Sequence, residues 1–388
     1  VKKLTYYIIL SLLAGTFYKT YSQISTQALS GTTLNPITTS VPFLLITPDS
    51  KHGAMGDAGV ADNPDANSMH WNVGGLAFAE KDGGVCMTIT PWLRTLVPDI
   101  NLYYLSGFWK IKKTQAIGTS LRYFTLGNIQ LTDIQGNYTG DFKPNEFAID
   151  VGFSQKLSKT FALGVAGRFI NSGISRVSMN NTAGNAASTA AVDIGLFYRS
   201  SLFKLGDKNA DAGFGLLFSN LGAKIRYVTQ KNFIPMNMRL GGILNMHLDD
   251  YNVFSILADV NKLLVPTPPI YEYEKDSNGN PTTNIKIDPS TGQKVILKGK
   301  NPDVPVTEAI FQSFYDAPGG FREELREFNI SAGAQYEYNK TFAFRLGYFY
   351  EDITKGARQY FTLGIGLRYS VGQLDISYLL SLIHISEP

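Results

Sequence analysis

The chain of 388 residues holds a single cysteine, four histidines and little charge, with 17% Asp, Glu, Lys and Arg and a net value of +3. Cys86 alone excludes an intramolecular disulfide and a thiol-based metal or redox site. His52, His70, His247 and His384 are scattered, so neither a metal spacing nor a catalytic dyad emerges. The near-neutral balance leaves no electrostatic footprint for a nucleic acid. After the opening residues there is no run approaching the ~18 apolar residues that a membrane helix needs. Catalytic and ligand motifs are missing as well. DSNGN at 276–280 starts like a calcium loop, but Pro281 stands where glycine is required and Ile287 at the twelfth position. Gly213-Phe-Gly215 and Gly364-Ile-Gly366 lack the third glycine of a dinucleotide fingerprint, and Gly-x-Ser-x-Gly does not occur. The expectation is a protein that is not an enzyme and needs no cofactor or metal.

Aromatics and glycine, in contrast, are plentiful: 24 Phe, 21 Tyr and 37 Gly. They fall into a repeating pattern. Phe161, Leu163, Val165 and Phe169 alternate with Ala162, Gly164, Ala166 and Arg168, and Phe361, Leu363, Ile365, Leu367 and Tyr369 alternate with Thr362, Gly364, Gly366, Arg368 and Ser370. A strand so built puts bulky apolar groups on one face and tiny or charged ones on the other. Repeated in segments of about ten residues, this is the mark of an all-β, transmembrane antiparallel β-barrel. The pattern predicts strands at 85–91, 99–111, 115–126, 145–157, 160–173, 188–199, 211–220, 236–248, 251–262, 325–338, 341–353, 358–369 and 373–380. Thirteen is odd where single-chain bacterial barrels are even, so fourteen strands are expected with the last missing, and 381–388 (SLIHISEP) reads as an atypical tail. Short and long connections interleave. Short turns belong on the periplasmic side and long loops outside, which would place both chain ends in the periplasm.

Lys2 and Lys3 before the apolar run 4–17 read as a signal peptide over 1–22. A flexible Ser/Thr-rich leader is expected at 23–42, a Gly/Ala/Asp/Asn-rich plug at 43–84, and the barrel at 85–380 with a long extracellular loop at 263–324. Arg122, Arg168, Arg239, Arg345 and Arg368, with Asp150, Asp193 and Asp259, fall on the small-residue face. Charges of both signs there read as ion pairs filling the lumen, since a dry interior demands that charge be paired; the other reading is a charged conduit. Trp92, Leu93, Leu96 and Val97 in the first loop and Phe311, Phe314 and Tyr315 in the long one are apolar where a solvated loop would be polar. They either fold over the mouth, meet the membrane interface or dock a partner.

FLLITPDS at 43–50, GAMGDAGV at 53–60, PDANS at 64–68 and HWN at 70–72 resemble the N-terminal signature of the PorV (LptO) family, within the wider FadL-like group of barrels. TPWLR at 90–94, VPD at 97–99, SLRYF at 120–124, NEFAID at 145–150 and SFYDAPGG at 313–320 extend the likeness over nearly the whole chain up to Leu380. One departure is Asn72-Val73-Gly74 where relatives have Asn-Pro-Ala. The resemblance implies a plugged outer-membrane barrel of the type IX secretion system, residing in outer-membrane lipid. It implies three partners: the translocon barrel, secreted cargo bearing a C-terminal domain, and a sortase-like surface protease that receives the cargo. The alternative, from the wider group, is a transporter of hydrophobic small molecules.

Overall fold

A computed structural model describes residues 34–92, 99–133, 135–175, 185–227, 229–277 and 281–381. Thirteen long strands form one antiparallel sheet in chain order: β1 (Gly83–Pro91), β2 (Ile100–Lys112), β3 (Gln115–Leu126), β4 (Asn145–Lys156), β5 (Phe161–Ser172), β6 (Ala187–Arg199), β7 (Lys208–Gly222), β8 (Asn237–His247), β9 (Asn252–Leu263), β10 (Phe328–Tyr338), β11 (Phe342–Tyr350), β12 (Gln359–Tyr369) and β13 (Gly372–Ser381). A short piece, Phe203–Leu205, adds a fourteenth by pairing with the start of β7. Among the described residues β1 and β13 are not paired with each other. Each predicted strand finds its counterpart within a few residues; the largest offsets, three residues each, are at 325–327 before β10, at 351–353 after β11 and at 208–210 at the start of β7.

Alternation decides which way each side chain looks. Along β5, Ala162, Ala166, Arg168 and Ile170 are buried while Val165 and Phe169 are 45% and 47% exposed. The same inversion, charge inside and grease outside, exposes Val151, Ile256, Leu346 and Leu367. Such a belt is stable only against hydrocarbon, and a sheet can meet hydrocarbon only if its backbone groups are satisfied by neighbouring strands.

What fills the inside is the segment before β1. It comprises a 3₁₀ turn (Pro42–Leu45), two single-turn helices, α1 (Ser50–Gly53) and α2 (Ser68–Trp71), and a second 3₁₀ stretch (Val73–Phe78). Its backbone lies against the wall on every side. A Cβ on Gly164 of β5 would stand 2.5 Å from the Gly74 nitrogen; on Gly215 of β7 and Gly347 of β11 it would collide with the Val60 carbonyl and the Gly56 amide. Touching β5, β7 and β11 from one short segment requires that the sheet wrap around it. The glycines of the inner face are therefore the wall's contribution to a backbone-to-backbone fit.

The first described residues lie at the other end of the barrel from the one expected for the chain's beginning. Residues 34–42 do not lie at the short-turn end. The Asn35 amide donates to the Thr354 carbonyl (3.0 Å) and the Ser40 amide to the Phe233 carbonyl (2.9 Å), both in long-loop connections. Val41, Phe43 and Leu44 are buried with Ile225, Ile234, Met236, Leu264 and Val265. From there the chain descends the lumen to the short-turn end, where the Lys110 amide donates to the Asp82 carbonyl (2.7 Å), and β1 rises again. Counting strands constrains the strand ends only; a segment that traverses the lumen before β1 has its first described residues at the opposite end of the barrel. Part of the predicted loose leader is thus seated in the mouth, because its apolar residues find cover there.

Candidate functional site

The long connection between β9 and β10 builds a cap over one end of the barrel. It carries two short helices, α3 (Val306–Gln312) and α4 (Phe321–Arg326), joined by the SFYDAPGG turn. Helices this short cannot stand by propensity alone, and here carboxylates hold them. Glu327, at the foot of β10, takes the Lys262 ammonium at 2.6 Å, the Lys355 ammonium at 3.0 Å and the Thr267 hydroxyl at 2.6 Å. Glu324 accepts the Ala317 amide at 2.7 Å and lies 3.3 Å from Lys262. Glu323 accepts the Gly319 amide and the Lys355 ammonium, both at 2.6 Å, and the Asn35 side-chain amide at 3.2 Å. The turn between the helices is thereby nailed to β9 through Lys262, to the β11–β12 connection through Lys355 and to the incoming N-terminal segment through Asn35. Asp316 accepts the Thr267 amide at 3.1 Å. Its burial, and then the charges of Glu324 and Glu327, push its carboxyl up to about 6 against the pull of that amide.

With Asp316, Glu324 and Glu327 turned in, the cap turns its aromatics out. Phe311, Phe314 and Tyr315 are 71%, 41% and 57% exposed. Tyr315 carries Lys300 over its ring at 3.6 Å, and Phe314 has Lys262 5.5 Å from its centroid. Phe321 (75%) and Leu325 (54%) on α4 join them. Sequence reasoning missed these two because it drew the following strand from residue 325; the signal was present in their i, i+4 spacing within FREELREF. Trp92 stands apart, half-buried against the apolar cluster of Val41, Phe43 and Leu264. Leu93, Leu96 and Val97 lie outside the described residues.

Within the lumen Arg122, Arg168, Arg239, Arg345, Asp150, Asp193 and Asp259 are all buried. Arg168 bridges Asp150 (2.5 Å) and Asp193 (2.9 Å), and Arg345 meets Asp375 at 2.7 Å. Asp259 accepts the plug amides of Gly59 (2.7 Å) and Val60 (3.0 Å). Arg368 is the exception: partly exposed near the β12–β13 turn, it donates to Gln373. Its strand pattern was right, but residues so close to the turn have no plug over them.

The plug has its own network, which the sequence did not single out. His52 Nδ1 meets Asp49 at 2.7 Å and Nε2 meets Asp62 at 3.0 Å. Carboxylates on both ring nitrogens require both to carry protons; burial opposes this, but Asp49 and Asp62 raise the imidazole to about 9. Lys51 joins Asp62 at 2.6 Å, and the Trp71 indole donates to Asp49 at 2.6 Å. Asn72 supplies what the missing proline of the resembled signature would fix. Its side chain accepts the Gly74 amide (3.0 Å) and donates to the carbonyls of Val60 (3.0 Å) and Leu196 (2.8 Å), tying the plug's turn to itself and to β6.

The family model described as "Type IX secretion system protein PorV" matches residues 30–270. Among solved structures, the chain is similar to a CymD monoaromatic hydrocarbon channel at 13% identity, over 87% of this chain and 94% of that one, with a TM-score of 0.43. A TodX deltaS2S3 mutant monoaromatic hydrocarbon channel gives 14%, 85%, 92% and 0.45 in the same order. A FadL homologue of Pseudomonas aeruginosa gives 13%, 89%, 90% and 0.38. A search of the curated proteins finds no match.

Proposed function

The chain belongs to the PorV family of outer-membrane type IX secretion components, and from that premise we propose that it receives cargo bearing a C-terminal domain from the translocon barrel and hands it to a sortase-like attachment protease. The role is that of a carrier, with no catalytic step and no cofactor. The observation that carries it is the cap: an ion-clamped platform that holds its carboxylates inward and presents Phe311, Phe314, Tyr315, Phe321 and Leu325 to the outside. Exposed aromatics on a rigid base are what a protein interface is built from, because they bury large area with little conformational entropy left to lose. The plug backbone pressed against Gly164, Gly215 and Gly347 of the wall supports docking over conduction, although a cavity of about 880 Å³ opens at the short-turn end beside Asn63, Pro64 and Phe78. We place the long loops, and the cap with them, on the cell surface. The test is complementation of a deletion strain with the triple variant F311S/F314S/Y315S. Normal insertion of the variant with cargo retaining its C-terminal domain supports the reading. Normal cargo processing would refute it, and loss of fatty-acid uptake instead would point to a small-molecule transporter.

A further inference from the structure

At the short-turn end, the first strands of the wall carry a surplus of one sign. Lys81 leads into β1, Lys112 and Lys113 stand where β2 turns into β3, and Lys159 lies between β4 and β5. Strand pairing brings the four lysines to one stretch of rim. Gly83 stands opposite Trp109, Lys112 opposite Gln115 and Gln115 opposite Gln155, and the Lys156 amide donates to the Thr114 carbonyl at 2.8 Å. All four are exposed, and none has a carboxylate within 4.0 Å among the described residues. Two more lysines turn inward beside them. Lys110 donates to the Ala79 carbonyl, and Lys156 lies 4.3 Å from the centre of the Phe78 ring. Among the described residues Asp82 is the one acid of this sector, since Glu80 reaches away to Lys340 at 3.3 Å. Further round the rim the sign is mixed, with Asp207, Asp249 and Asp250 among Lys204, Lys208 and Lys340.

The lysines begin where the greasy belt ends. Trp109 and Ile111 alternate with buried Phe108 and inward Lys110, so they look out of the barrel, and with Leu157 they are 64%, 52% and 61% exposed. An outward tryptophan followed by lysines marks the depth at which hydrocarbon gives way to headgroups. Four like charges on adjacent turns repel one another and add nothing to the fold, but an anionic bilayer surface attracts each of them. We propose that this sector binds anionic phospholipid, with the headgroup phosphate taken by Lys81, Lys112, Lys113 and Lys159 and the acyl chains lying along Trp109, Ile111 and Leu157. Ammonium groups on flexible stems suit a headgroup that arrives in no fixed orientation. A zwitterionic lipid brings its own cation and gains little here. In the orientation proposed above this is the periplasmic leaflet, but the chemistry is the same in either.

Trp109 supplies the readout. The full chain is placed in phosphatidylcholine vesicles that carry a minor fraction of brominated lipid, and the fluorescence that Trp109→Phe removes is followed. Brominated phosphatidylglycerol should quench it several-fold more than brominated phosphatidylcholine, and high salt should erase the difference. The variant Lys81→Gln/Lys112→Gln/Lys113→Gln/Lys159→Gln should be quenched alike by both lipids, while Lys204→Gln, in the mixed sector, should behave as the wild type. If the fourfold variant does not insert, Lys112→Gln/Lys113→Gln should weaken the preference. Equal quenching of the wild type by the two lipids, or a preference that survives in the lysine variants, overturns the proposal. Equal quenching together with lysine-dependent binding of polyglutamate would assign the sector to an acidic protein surface instead.

Discussion

At the scale of single residues, the wall and the plug make opposite demands on positions that look alike. Gly164 and Gly167 are three apart on β5, yet a side chain on the first meets plug backbone and one on the second meets open space. Gly164→Val should therefore cost about 1–3 kcal/mol through overpacking, and Gly167→Val almost nothing, as read from the heat at which each folded band is lost on electrophoresis. Among charges, Asp150 compensates Arg168 and sits near Arg122 with no exposure of its own. Asp150→Ala leaves buried guanidinium unpaired, for which a loss of about 3–5 kcal/mol is expected, checked by urea unfolding in micelles. His52 gives a pH signature. Its folded value, about 9, exceeds the ordinary 6.5, so its contribution is fully present below pH 6.5 and is lost as the pH rises through 9. The protection factors of amides 49–62, taken relative to intrinsic base-catalysed exchange at each pH, should fall across that window in the wild type and stay flat in His52→Gln.

Among the elements, strands were legible and the pieces between them were not. Period-two alternation needs only nearest neighbours along the chain, so β3, drawn at 115–126 from sequence, has those limits in the structure. The plug and the cap follow no period. Their form comes from partners far away in sequence, such as Lys262 and Lys355 on Glu327 or Asp259 on the Gly59 amide. The lumen charges were readable as inward-facing because their strands were; which aspartate each arginine meets was not, since that depends on register and on the plug. The cap should respond to its clamp. Glu327→Gln removes the charge that Lys262 and Lys355 share, and limited proteolysis in the loop 299–324 should become several-fold faster. Asp316 titrates in the opposite sense to a paired acid. Its folded value, about 6, lies above the ordinary 3.8, so its charged form opposes the fold at neutral pH and that cost disappears as the pH falls below 6. Proteolysis of the cap should slow over that range, and Asp316→Asn should remove the dependence.

For the molecule as a whole, strand counting says nothing of the segment before β1. A segment that runs from the mouth through the lumen and only then starts the wall leaves its first described residues among the long loops. Leu34 is 55% exposed there. In a Cys86→Ala background, Leu34→Cys should react with a membrane-impermeant maleimide on intact cells; labelling only after lysis would place the long loops on the periplasmic side. In the proposed role the cap is the face for other proteins. The decisive measurement is photo-crosslinking in living cells from benzoylphenylalanine at position 311, with position 165 on the outer face of β5 as the control. Adducts from 311 to the translocon barrel and to cargo C-terminal domains, with none from 165, are expected. A probe at 311 that captures only lipid, or no protein that 165 does not also capture, would contradict the carrier role.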